Sequence, residues 1–153
     1  MQARIDKIDN LIREGYVLKR TSYGFIDFKN SNGTSVQIFG RLFQRSPAGF
    51  SWIAFFFPWA VCTQIREWSY FYFTGACFVF VSLFQAITSL DGTTGAGFAI
   101  SIIYGYMYPY LRKLSSENGT TDMPKGRSIV IGLLLSIVCI IPSLIIDIAV
   151  AFL

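Results

Sequence analysis

The pattern of apolar and polar positions changes character near Pro47: before it charges are frequent and apolar residues recur at short intervals, and beyond it run long stretches with almost no charge. In the first part Ile5, Ile8, Leu11 and Ile12 recur at helical spacing and Gly15 follows as a stop, which predicts a short amphipathic helix. Residues 16–20 and 23–29 are rich in aromatic and β-branched side chains. Asn30-Ser31-Asn32-Gly33 then supplies turn chemistry before residues 34–43, so a β-hairpin is expected here. Val36, Ile38, Gly40 and Leu42 would share one strand face, able to rest on the helix or on a membrane surface. Residues 1–46 are therefore expected to form a small α+β unit. A unit of about 45 residues buries too little of its surface to stand alone, so support from the rest of the chain is expected.

Residues 47–153 read as a helical membrane domain with four apolar segments. The first, 50–63, contains Pro58 and reaches only about 21 Å as a helix, short of the roughly 30 Å hydrocarbon core. It is expected to be interfacial or re-entrant. The second, 68–90, carries no charge and is long enough to span. The third, 95–111, is at the lower limit and ends in Arg112-Lys113; with the second it makes a helical hairpin around Asp91-Gly92-Thr93-Thr94. The fourth, 128–153, is amply long, with Pro142 placed to kink it. The expected fold is a membrane all-α bundle of three transmembrane helices and one interfacial or re-entrant helix, carrying a small amino-terminal helix and β-hairpin.

Composition agrees with that pattern. Hydrophobic residues make up 53% of the chain and charged residues 14%, against the roughly 25% charged of soluble globular proteins. The net charge of +4 does not suggest nucleic acid, because Lys and Arg flank the apolar runs instead of lining one polar face. They act as orientation signals. Arg41, Arg45, Arg66, Arg112, Lys113, Lys125 and Arg127 mark a cytoplasmic side, and the Asp91 turn, free of Lys and Arg, marks the outside. This places the amino terminus in the cytoplasm, Leu153 outside, and both ends of 50–63 on one side. Trp52, Trp59, Trp68, Tyr70, Tyr72, Tyr106, Tyr108 and Tyr110 gather at the same inner interface. Residues 1–15 lack the apolar run of a cleavable signal, so the apolar segments themselves are expected to direct insertion.

The stretch Phe50-Ser51-Trp52-Ile53-Ala54-Phe55-Phe56-Phe57-Pro58-Trp59, followed by Arg66 and Trp68, resembles the bacterial membrane family called domain of unknown function 2628. That family shows an aromatic approach of the form N-W-x-A-F-x-F-x-P-x-W and then a spanning hairpin ending in Tyr and basic residues. Tyr108, Tyr110, Arg112 and Lys113 are similar to that ending. Ser51 stands where the family has Asn, and the spacing from Pro to Trp is compressed. The resemblance covers residues 50–113. It implies an architecture in a bacterial inner (plasma) membrane and no activity, since the family has none established.

Candidate chemistry is sparse. There is no histidine, which removes the commonest metal ligand and the side chain best suited to proton transfer near neutral pH. Cys62, Cys77 and Cys139 each sit in an apolar segment without a CxxC pair and read as small hydrophobes. No catalytic, cofactor or metal residue is assigned. Asp147 is the only ionisable residue in the last apolar segment and is a candidate intramembrane polar site, with a simple reach to the outer interface as the alternative. Gly97, Ser101 and Gly105 form a small-residue stripe suited to close packing within the chain or between copies, with Gly132 and Ser136 as a weaker counterpart, and a pairing of the two stripes is the specific contact to test. Trp52, Trp59, Arg66 and Trp68 are expected interfacial anchors, with Gln64 and Glu67 beside them as groups for a headgroup or partner. Asn32-Gly33-Thr34 and Asn118-Gly119-Thr120 match the glycosylation pattern but fall on the cytoplasmic side and read as turns. The function expected is a non-enzymatic membrane accessory or scaffold protein, with the lipid bilayer and a membrane protein complex or a second copy as partners and no nucleic acid. The alternative is a small oligomeric transporter or channel lined by Asp147 and tyrosines; a membrane enzyme ranks last.

Overall fold

The computed structural model describes residues 1–21, 25–39, 46–88 and 92–152. The chain opens with α1 (Gln2–Arg13), whose apolar stripe buries Ile8 completely and packs Leu11 and Ile12 beside it. Gly15, at φ +92°, turns the chain out of the helix in a conformation that L side chains rarely adopt. Strands β1 (Tyr16–Arg20) and β2 (Ile26–Asn30) then pair antiparallel, with Leu18 directly opposite Phe28 and both buried.

The hairpin therefore forms one segment earlier than the sequence suggests. The Asn30 turn does close: Asn30 Oδ1 accepts from the Asn32 and Thr34 amides at 3.0 and 2.9 Å, and Gly33 takes φ +77°. Among the described residues the returning chain, however, makes a single bridge, Ser35 to Lys29, plus a Val36 N–H donated to the Phe28 carbonyl at 2.8 Å. Val36 is half-buried and Ile38 buried. Gly40 and Leu42, along with Arg41 and Arg45, lie outside the described residues.

The first apolar segment is two short helices, α2 (Trp52–Phe56) and α3 (Pro58–Gln64). Ser51 caps α2 by accepting from the Ala54 amide. Pro58 has no N–H to continue that helix, so the chain bends at Phe57 and Pro58 becomes the first residue of α3, where its missing donor is harmless. Three longer helices follow: α4 (Ser69–Thr88), α5 (Thr93–Glu117) and α6 (Lys125–Ala151).

Two of these, α4 and α6, are long and apolar enough to cross a membrane. They pack on each other most closely, where Gly75 lies so near the Cys139 carbonyl that an added Cβ would sit 3.3 Å from it. Only 17% of the most apolar stretch of α4 and 11% of that of α6 is buried, whereas a core helix of a water-soluble protein is mostly buried. The third expected span, 95–111, lies inside α5. Its tyrosines, glycines, serines and basic end dilute its apolarity, and α5 is not among the helices that pass by length and composition. It is the helix on which α1, the β-hairpin, α2 and α3 all rest.

Candidate functional site

The chemistry that the sequence concentrates near the inner interface collects at one end of the bundle. Helix α3 ends in a Schellman arrangement: the Glu67 N–H donates to the Cys62 carbonyl at 2.7 Å and the Arg66 N–H to the Thr63 carbonyl at 3.1 Å. Arg66 occupies the left-handed position at φ +56°, where glycine is usual. This reversal turns Glu67 inward. Its carboxylate is buried, accepts from the Ser69 amide and hydroxyl, and pairs with Arg20 of β1. A residue expected to face a headgroup thus ties the amino-terminal unit to the helical bundle.

A second tie runs from Lys113 to Asp9 at 2.5 Å, with Glu117 one helical turn further along at 3.4 Å. Contact with the Asp9 carboxylate holds the Lys113 ammonium above the ordinary lysine range, with burial opposing and the Asp9 and Glu117 charges reinforcing. Next to it, Arg112 takes the Tyr108 hydroxyl at 3.2 Å and Asp122 at 2.7 Å. Burial opposes the Arg112 charge, and these two contacts more than offset it, so its pKa is raised. Aromatic edges complete the junction: Phe28 meets Tyr110 at 6.0 Å and Phe25 meets Phe73 at 5.4 Å.

The seat of α2 has a local cause. Pro109 cannot donate to the carbonyl of Gly105 four residues back, and that orphaned oxygen accepts the Ser51 N–H at 2.8 Å. Gly105 itself leaves the space that the Phe50 ring fills, since an added Cβ would lie 2.4 Å from it.

At the same end α3 stands between α5 and α6, which do not pack on each other directly. The remaining gap is a partly open groove of about 710 Å³. Its walls are apolar, from Ile53, Phe57, Trp59, Val61 and Ile129. Gln64, Tyr108, Arg112 and Lys125 supply its polar part.

The expected site residues are thus distributed differently from the sequence reading. Gly97, Ser101 and Gly105 do not meet Gly132 and Ser136. Gly105 receives Phe50, an added Cβ on Gly97 would lie 3.8 Å from the Phe78 ring, and Gly132 faces the Trp59 carbonyl and Thr63 hydroxyl, 2.8 and 2.9 Å from an added Cβ. Ser136 donates to the Gly132 carbonyl of its own helix at 2.8 Å. Within the chain the stripes are kept apart because Phe50, Phe78 of α4 and helix α3 occupy the faces they offer. Trp52 and Trp68 are exposed and Trp59 is half-buried, while Arg66 is exposed beside a small polar hollow. Asp147 is half-buried and has no ion-pair partner among the described residues. The three cysteines are free. Among the described residues no group of three His, Cys, Asp or Glu is placed to hold a metal ion.

Gly75, the Gly105–Pro109 pair and the left-handed Arg66 were not singled out in the sequence. A Pro four residues after a Gly in an apolar helix is a readable signal for the second of these. The chain matches no family model, no curated protein and no solved structure.

Proposed function

We propose that the chain is a non-catalytic integral membrane accessory protein that holds its amino-terminal α+β unit against the cytoplasmic face of a bacterial inner membrane, as a platform for a partner complex or a second copy. One observation supports this above the others. Helices α4 and α6 leave broad apolar faces uncovered, with Phe80, Ile87, Leu134, Val138 and Ile145 at least half exposed, while two ion pairs clamp the polar unit onto one end of the bundle. Such faces are stable in lipid and not in water.

In this reading α4, α5 and α6 span. Segment 50–64 is re-entrant, since α2 and α3 together reach about 18 Å. Asp147 lies about 33 Å along α6 from Lys125, which places its carboxylate at the outer boundary of a roughly 30 Å core and favours anchoring over an ion path. The similarity to domain of unknown function 2628 over 50–113 fits this architecture.

The test is mild-detergent purification of the full chain from native membranes. A stoichiometric partner or defined homo-oligomer is expected, lost when Arg20→Ala and Lys113→Ala together release the amino-terminal unit. A monomer that carries solute flux in liposomes would overturn the scaffold reading in favour of a transporter.

A further inference from the structure

The groove between α5 and α6 has the two features that an amphiphile requires. Its apolar part joins the open face of α6: Ile129 lines the groove and is half exposed, and Val130 and Leu133 continue outward, so a hydrocarbon chain in the bilayer can slide in sideways. Its volume of about 710 Å³ falls within the roughly 300–1,000 Å³ of ordinary small-molecule sites.

The polar part is cationic. Arg112 is partly offset by Asp122, but Lys125 is exposed and has no carboxylate partner among the described residues. The Gln64 side-chain amide, also without a partner among the described residues, lines the same space, while its backbone carbonyl accepts the Met123 N–H at 2.8 Å. An occupant must therefore combine a long apolar portion with a negative head and an acceptor near the boundary between them. A soluble anion leaves the apolar walls wet, and a neutral hydrocarbon leaves the Lys125 charge unanswered.

We propose that this groove is a binding site for one anionic phospholipid, with an acyl chain along Ile53, Phe57, Trp59 and Ile129, the phosphodiester at Arg112 and Lys125, and an ester carbonyl within reach of Gln64. The proposal rests on the membrane residence argued above. It adds a partner of defined chemistry: Met1 of the amino-terminal unit also lines the groove, so occupancy couples the lipid composition of the leaflet to the seating of that unit.

The full chain in neutral detergent, examined by native mass spectrometry, tests this with dioleoyl phosphatidylglycerol, dioleoyl phosphatidylcholine and sn-glycerol 3-phosphate as probes. A basic side chain near an anionic head is worth about fivefold in binding, and with Asp122 offsetting one of the two, one retained phosphatidylglycerol with about tenfold preference over phosphatidylcholine is expected. Lys125→Gln, which breaks no internal ion pair, should lower the preference to about twofold, and adding Arg112→Gln should abolish it. Ala60→Trp, which fills the groove, should reduce retention of both lipids. Equal retention of the two lipids, an unchanged preference in Lys125→Gln, or retention of glycerol phosphate as strong as that of the lipid would each overturn the proposal. Carbonate washing of the same membranes separates the two failures: a chain that stays in the pellet without lipid preference loses only this site, and one washed free loses the membrane reading as well.

Discussion

Helices α5 and α6 are of similar length and neighbours in sequence, yet they use their side chains in opposite ways. In α6 the apolar side chains point mostly outward, and the few buried residues are Ser128, Gly132 and Ser143. In α5 the buried residues are large and partly polar, with Tyr104, Met107, Tyr108 and Tyr110 inside. Where lipid surrounds a helix, burial no longer rewards apolarity, and close contact goes to small residues that let backbones approach. The aromatic half of α5 is where the molecule builds an ordinary core, because there a polar unit must be held in place. With α6 in lipid, as proposed, apolarity along this chain reports the surrounding medium and not the interior.

The comparison can be broken most directly at Val138, near the middle of α6 and more than half exposed. Val138→Arg is expected to cost about 2.5–3.5 kcal/mol of insertion, read as the fraction of chain that enters microsomal membranes; an unchanged fraction would mean that this face meets water. The next largest effect belongs to Gly132→Leu, whose side chain must displace the Trp59 backbone or the Thr63 hydroxyl. A loss of about 2–3 kcal/mol in detergent unfolding is expected. Gly97→Leu, in ordinary contact with Phe78, should be near neutral.

Arg20→Gln sharpens the α5 side of the contrast. It leaves the Glu67 carboxylate buried without its cation, but Arg20 is itself 45% exposed, so the loss is discounted to about 1–2 kcal/mol. Limited proteolysis between β1 and β2 should accelerate about tenfold. The smallest effect is the pH response of the Lys113 tie. Because the folded-state pKa is raised, its contribution is fully present below the unfolded lysine value of about 10.5 and is lost as pH rises through the higher folded value. A spin-label distance from α1 to α5 should stay constant between about pH 7 and 9 and lengthen only above about pH 10.5; lengthening near neutrality would remove Lys113 from this role.

Much of the architecture was readable from periodicity. The amphipathic α1, the Pro58 break, the length of α4 and α6 and the turn at Asn30 follow from local rules that lipid and water enforce residue by residue. Partner choice was less readable. Pairing of β1 with β2 depends on Leu18 and Phe28 finding the same core, and nothing local distinguishes that from pairing across Asn30-Gly33. The glycine stripes were visible as places of close approach, but not that Phe50 and α3 would occupy them. Gln64 was visible as a group for a headgroup or partner, but the groove was not, because Gln64, Tyr108, Arg112 and Lys125 converge only after three helices have been placed.

The dependence of Ser51 on the Gly105 carbonyl has a consequence for how the chain is made. The ribosome delivers α2 more than 50 residues before the acceptor that seats it, and α3 well before Gly132 in α6. During synthesis the aromatic segment therefore waits without its partners until the last helix arrives. Chains cut short after α4 would leave it without a berth.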